Sequence, residues 1–202
     1  ACREAEVPLV LVKLGCNLRD CPPFKSEHRA DLSVADQQRW QALFDEASAL
    51  DDADPTAAIQ LYREALAIDD EYALLHFRLG RCYDQTDDLT ASGRHYQQAV
   101  EWDVCPLRMT SRLHGELLDI ATKERLPLVD AATAVRQAAP EGICGFESYI
   151  DHVHPTISAH QLIGRGLADR LVTDDLVPAS SLAGQRQRRR MYGEVMTALG
   201  DI

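Results

Sequence analysis

AIQLYREALAIDDEYALLHFRLGRCYDQTDDLTASGRHYQQA, residues 58–99, carries one helical pattern twice. Ala58, Tyr62 and Ala65 return as Ser92, Tyr96 and Ala99, each 34 residues further on. Side chains three and four apart share a helix face, so each set presents small, large, small in a line. Ahead of the second set stand Leu79, Gly80 and Tyr83. Gly80 and the alanines let two antiparallel helices approach closely, while Tyr62 and Tyr96 fill the gap to the next pair.

A period of 34 with Leu-Gly-x-x-Tyr in the first helix resembles the tetratricopeptide repeat (TPR). The earlier copy is looser. Trp40, Leu43 and Ala47 fit once one residue is inserted around Asp51–Pro55. Two repeats are few for a free-standing solenoid, so they require something to pack against.

On either side the pattern changes. Val7–Leu14 is a short, nearly continuous apolar run ending in Gly15 and Asn17, as expected of a strand buried on both faces. Cys16–His28 is rich in turn residues, and Pro22-Pro23 forbids helix or central strand there. Beyond the repeats, Met109, Leu113, Leu117, Ile120 and Ala121 give a helix over 108–124 an apolar face. Leu126–Asp130 is a second short strand candidate, followed by an Ala-rich helix ending near Pro140. A last helix is expected over Ile157–Leu171, with Ser158 and Gln161 at capping-box spacing. Two strands joined by so long a helical crossover should pair in parallel.

The bulk properties narrow the function. A chain of 202 residues suits one domain, or a domain with an insertion. Its formal net charge of −11 argues against nucleic acid, where basic surface supplies most of the affinity. The basic run Arg186–Arg190 is too local to change that and reads as a solvated tail. No apolar stretch reaches the length of a membrane span. The opening at Ala1 reads as a truncated N-terminus, so a leader or anchor would lie upstream and the compartment stays open. Cys2, Cys16, Cys21, Cys82, Cys105 and Cys144 form no C-x-x-C and read as scattered free thiols.

Asp151-His152-Val153-His154-Pro155 is where chemistry is expected. Residues three apart on a turn can meet, so the Asp151 carboxylate can hold Nδ1–H of His154. The other ring nitrogen is then free to take a proton from a hydroxyl nucleophile. Pro155 keeps His154 off helical backbone. Three rivals use the same region. His152, His154 and His160 with Asp151 could form a metal cluster, but His152 should point away from His154. Cys144 and Ser26 could be nucleophiles, but neither sits on a strand-to-helix elbow.

With its D-x-x-H-P segment, the strand-like Leu126–Asp130 before it and the helix after it, the chain resembles the SGNH (GDSL-type) hydrolases that carry a TPR insertion. Asn17–Phe24 and Asp103–Arg108 are similar to segments flanking that insertion. The resemblance implies an α/β fold: the C-terminal portion of a three-layer parallel-sheet domain with a TPR-like helical insertion. The divisions would be 1–37 (strand and loop), 38–103 (two repeats), 104–173 (last strand, D-x-x-H loop and helix) and 174–202 (helical tail). It also implies a serine esterase or acyl hydrolase in which Asp151 orients His154. The substrate would be an acyl-ester small molecule or an acylated carbohydrate, with no cofactor and no metal. No Gly-Asp-Ser block occurs, so the nucleophile is expected upstream of Ala1 and this chain alone should be inactive. Asn17, at the end of the first strand, is placed near the substrate. The alternative is a TPR protein-binding module on a non-catalytic scaffold.

Overall fold

A computed structural model describes residue 2 and residues 4–177. The expected tail lies, from residue 178 onward, outside the described residues, as does Arg186–Arg190. The elements are β1 (Leu11–Lys13), α1 (Val34–Leu50), α2 (Pro55–Ile68), α3 (Ala73–Gln85), α4 (Leu89–Glu101), α5 (Ser111–Glu124), β2 (Leu128–Asp130), α6 (Ala131–Ala138) and α7 (Ile157–Thr173).

Most helices start where a short polar side chain meets free N–H groups. Ser33 accepts from Asp36 N, Asp54 from Ala57 N, and Asp88 from Ala91 N, with Pro55 in the first turn of α2. At α7 the cap is Thr156, which accepts from Ala159 N, so Ser158 lies inside the helix. The hydroxyl two residues earlier takes the cap because the backbone of Thr156 is extended (φ −64°, ψ 168°), the conformation that a cap requires.

Helices α1, α2 and α3 form the largest hydrophobic cluster among the described residues. Trp40, Phe44, Ala47, Ala58, Ile59, Tyr62, Ala65, Leu75, Leu79 and Cys82 pack together. The α1–α2 turn spans 51–54 and the α3–α4 turn 86–88, so the first repeat is one residue longer at this point. A Cβ added to Gly80 would lie 2.9 Å from Cδ1 of Tyr96, so the helices cross where only glycine fits. Asp51 joins both hairpins. It accepts the Tyr62 hydroxyl at 2.6 Å and Nη1 of Arg78 at 2.6 Å.

The expected three-layer parallel-sheet fold is not what forms. Among the described residues helix accounts for 57% and strand for 5%, and the described sheet has two strands of three residues. β1 and β2 pair in parallel, Leu11 opposite Leu128 and Lys13 opposite Asp130. The runs that suggested longer strands are interrupted chemically. Pro8 and Pro127 lack the N–H a ladder needs, and Asp130 leaves the sheet at once to cap α6 through Thr133 N. Apolar runs of this length show that a segment is strand-like without showing how many strands join it. The helical repeats dominate the architecture.

α3 has three faces in use. Leu75, Leu79 and Cys82 point into the core with α1 and α2. His76, Gly80 and Tyr83 meet α4. The third stripe, Leu74, Phe77 and Asp84, is covered by the chain itself. Phe77 packs with Tyr96, Ala99, Ile143 and Leu18, Asp84 binds Arg19, and Leu74 N donates to Oγ of Ser26 at 2.9 Å. The stretch 17–28, without regular structure, is therefore laid along the repeats. His28 ends it, with Nδ1 2.7 Å from the buried Asp69 carboxylate and its ring against Trp40 and Tyr72.

Candidate functional site

The Asp151–Pro155 segment is a tight turn closed by an antiparallel bridge between Tyr149 and Pro155, with Ile150 N donating to the His154 carbonyl at 2.9 Å. Inside it, one oxygen of Asp151 accepts from Val153 N (2.9 Å) and His154 N (2.8 Å). The other lies 2.7 Å from Nδ1 of His154. A carboxylate accepting three N–H groups favours its charged form. The backbone N–H of His154 first, then that of Val153, then the imidazole hold the Asp151 carboxyl down at about 2. Asp151 being ionised, Nδ1 is the protonated ring nitrogen and Nε2 carries the lone pair. The His154 side chain is 70% exposed, and among the described residues no group hydrogen-bonds its Nε2. This nitrogen can accept a proton from whatever reaches it.

The turn is fixed from behind by the 17–25 stretch. Asn17 N donates to the His152 carbonyl at 3.0 Å, and Leu18 N and Arg19 N both donate to the Cys144 carbonyl. Asp20 accepts Phe146 N at 2.6 Å. The His152 ring stacks on Phe24 and its Nε2 donates to the Pro22 carbonyl. Asn17 has no exposed surface, and its Oδ1 accepts Asp20 N. It shapes the loop behind the turn.

Arg108 organises this stretch, although sequence reasoning gave it no role of its own. Fully buried, it donates to the carbonyls of Asn17 and Cys21 and to the Asp103 carboxylate. Asp103 in turn accepts Phe24 N, Lys25 N and Cys105 N. The signal was an Asp and an Arg five apart just past the last repeat helix. Without the fold, nothing distinguishes that from a solvated surface pair.

The other candidates are occupied elsewhere. His160 Nδ1 is 3.1 Å from the Thr156 carbonyl, and among the described residues no three His, Cys, Asp or Glu side chains converge on a metal-sized site. Cys144 is buried, which raises its thiol pKa. Ser26 is used on the α3 backbone. An apolar cleft of about 640 Å³, lined by Val7, Pro8, Leu9, Leu126, Pro127 and Leu176 among others, opens at the other end of the strands from Asp151.

Residues 49–104 match the family model described as tetratricopeptide repeat. No curated protein and no solved structure matches the chain. The resemblance to SGNH hydrolases is therefore corrected: the matching family is the repeat, and the two-stranded sheet is too small for that fold. The reason is physical. A D-x-x-H-P turn is short and recurs on unrelated frames, so it carries less family information than two repeats in register. The repeat points to a protein partner, and no helix among the described residues is long and apolar enough to cross a membrane.

Proposed function

We propose that the chain is a protein-binding module whose partner docks on the exposed side of α1. The carrying observation is the match over 49–104 combined with the unequal use of the two repeats. Stacked helix pairs bind partners along an extended surface. On α3 that surface is taken by Leu18, Arg19 and Ser26. On α1, Gln38, Gln41, Ala42, Asp45 and Ala49 are all exposed and recur at helical spacing. A photo-crosslinking residue at Gln41 or Asp45 should give a discrete protein adduct, and one at Lys123 on α5 should not. Adducts at Lys123 alone would move the docking surface off the repeats.

The geometry of Asp151 and His154 favours a second reading, in which His154 acts as general base for a hydroxyl nucleophile attacking an acyl ester. It is supported by the 2.7 Å contact at Nδ1 and the unbonded Nε2. In the full-length gene product His154→Ala should abolish turnover of a short acyl ester, and Asp151→Asn should lose as much or less. Unchanged turnover in His154→Ala would reduce the segment to an ordinary turn.

A further inference from the structure

Between α3 and α4 lie two buried histidines that neither docking nor the Asp151 turn uses. His76 is 4% exposed and His95 6%. Their Nδ1 atoms are 3.1 Å apart, and the rings are near-parallel with centroids at 5.3 Å. Tyr83 stacks on His95 at an interplanar angle of 7°.

The protonation states follow from the partners. Nε2 of His76 is 2.8 Å from the Asp70 carbonyl, which can only accept, so that nitrogen carries hydrogen. In the neutral ring Nδ1 of His76 is then an acceptor, and Nδ1 of His95 must donate to it. One proton is shared across the helix interface. Adding a proton to Nδ1 of His76 would set two N–H groups against each other at 3.1 Å. Adding one to His95 would place a cation in a buried site.

We propose that the His76–His95 pair is an acid-sensitive latch: protonation unlocks α4 from α3 and so frees the repeats from the 17–28 stretch. The second half follows from what the two helices hold. Tyr96 and Ala99 on α4 and Phe77 on α3 form the seat of Leu18, and Asp84 on α3 holds Arg19.

The surroundings bear on both rings. For His76, burial lowers the pKa most; the Asp70 carbonyl and the Asp70 and Asp69 carboxylates oppose this, and Arg94 adds to it. For His95, burial, then His76, then Arg94 bring it to about 4. Asp69 is already engaged by His28 and by Glu71 N. Tyr83 is the remaining titratable group in ring contact.

A base with a lowered folded-state pKa binds protons better when the structure is open. Stability is complete above the open-state value and falls as the pH drops below it. With about 6.5 for a free histidine and about 4 for His95, going from about pH 7 to pH 5 raises the opening equilibrium roughly twentyfold.

Hydrogen exchange on the whole chain reads this out. After correction for intrinsic rates, amides of α3 and α4 should lose protection roughly twentyfold between those pH values, and amides of α7 far less. His95→Gln should remove most of that dependence. If the variant does not fold, titration of the wild-type ring resonances decides alone: His95 should stay neutral until the hairpin opens. A ring titrating near 6.5 in the intact fold, equal loss of protection in α7, or an unchanged pH response in a folded His95→Gln variant would each overturn the latch.

Discussion

Gly80 and Asp151 are single positions on which much depends, for opposite reasons. At Gly80 an absent atom matters. A side chain there meets the Tyr96 ring edge at 2.9 Å, and Tyr96 is itself buried, with its hydroxyl on Asp84. Gly80→Leu should therefore overpack the crossing and cost about 1–3 kcal/mol in urea unfolding. At Asp151 a charge matters. Its carboxyl is depressed to about 2, so its bonds to Val153, His154 and the imidazole are present above the ordinary carboxylate range and disappear as the pH falls through about 2. Carbon NMR of the Asp151 carboxyl should show no midpoint near 4. Such a midpoint would mean that the three N–H donors are not held in solution. The pairing of Asp151 with His154 was legible from their spacing on a Pro-terminated turn. The part played by Asn17 was not, because burial is a property of what packs around a residue.

At the scale of elements, the repeat helices were the most legible part of the chain. Their signal is spread over many positions, and each position reports on the same close packing. The join between hairpins was hidden. Asp51 is 6% exposed and satisfies both Tyr62 and Arg78, yet in sequence it is one of several aspartates in a turn. Asp51→Ala leaves a buried hydroxyl and a part-buried guanidinium without their acceptor, and should cost about 2–3 kcal/mol. Its neighbour Asp52 meets only the half-exposed Arg81 at 3.4 Å, so Asp52→Ala should stay within about 0.5 kcal/mol of wild type. Equal effects in thermal melts would show that the Asp51 network does not persist in solution. α5 shows the converse problem. Its periodic apolar residues predicted a buried face, but only Ala121 is buried, while Leu113 and Ile120 are 43% and 50% exposed. Periodicity identifies a face without supplying the surface that covers it. Ile120→Lys should accordingly change stability by no more than about 0.5 kcal/mol.

For the molecule as a whole, two short parallel strands are the only described ladder linking its beginning to its later half, and their partners Leu11 and Leu128 are far apart in sequence. That separation has a kinetic meaning. Joining such distant segments in an unfolded chain costs loop-closure entropy before any contact is returned. The two helical hairpins between them need only local contacts and can form first. Once formed, they replace a long flexible loop by a compact body, and Phe24 N on the Asp103 carboxylate ties the chain entering it to the chain leaving it. The repeats should thus act as a scaffold for folding, setting the rate at which β1 finds β2. In stopped-flow refolding, a probe on α2–α3 should report an earlier phase than one on β1. Slowing the hairpins should slow both.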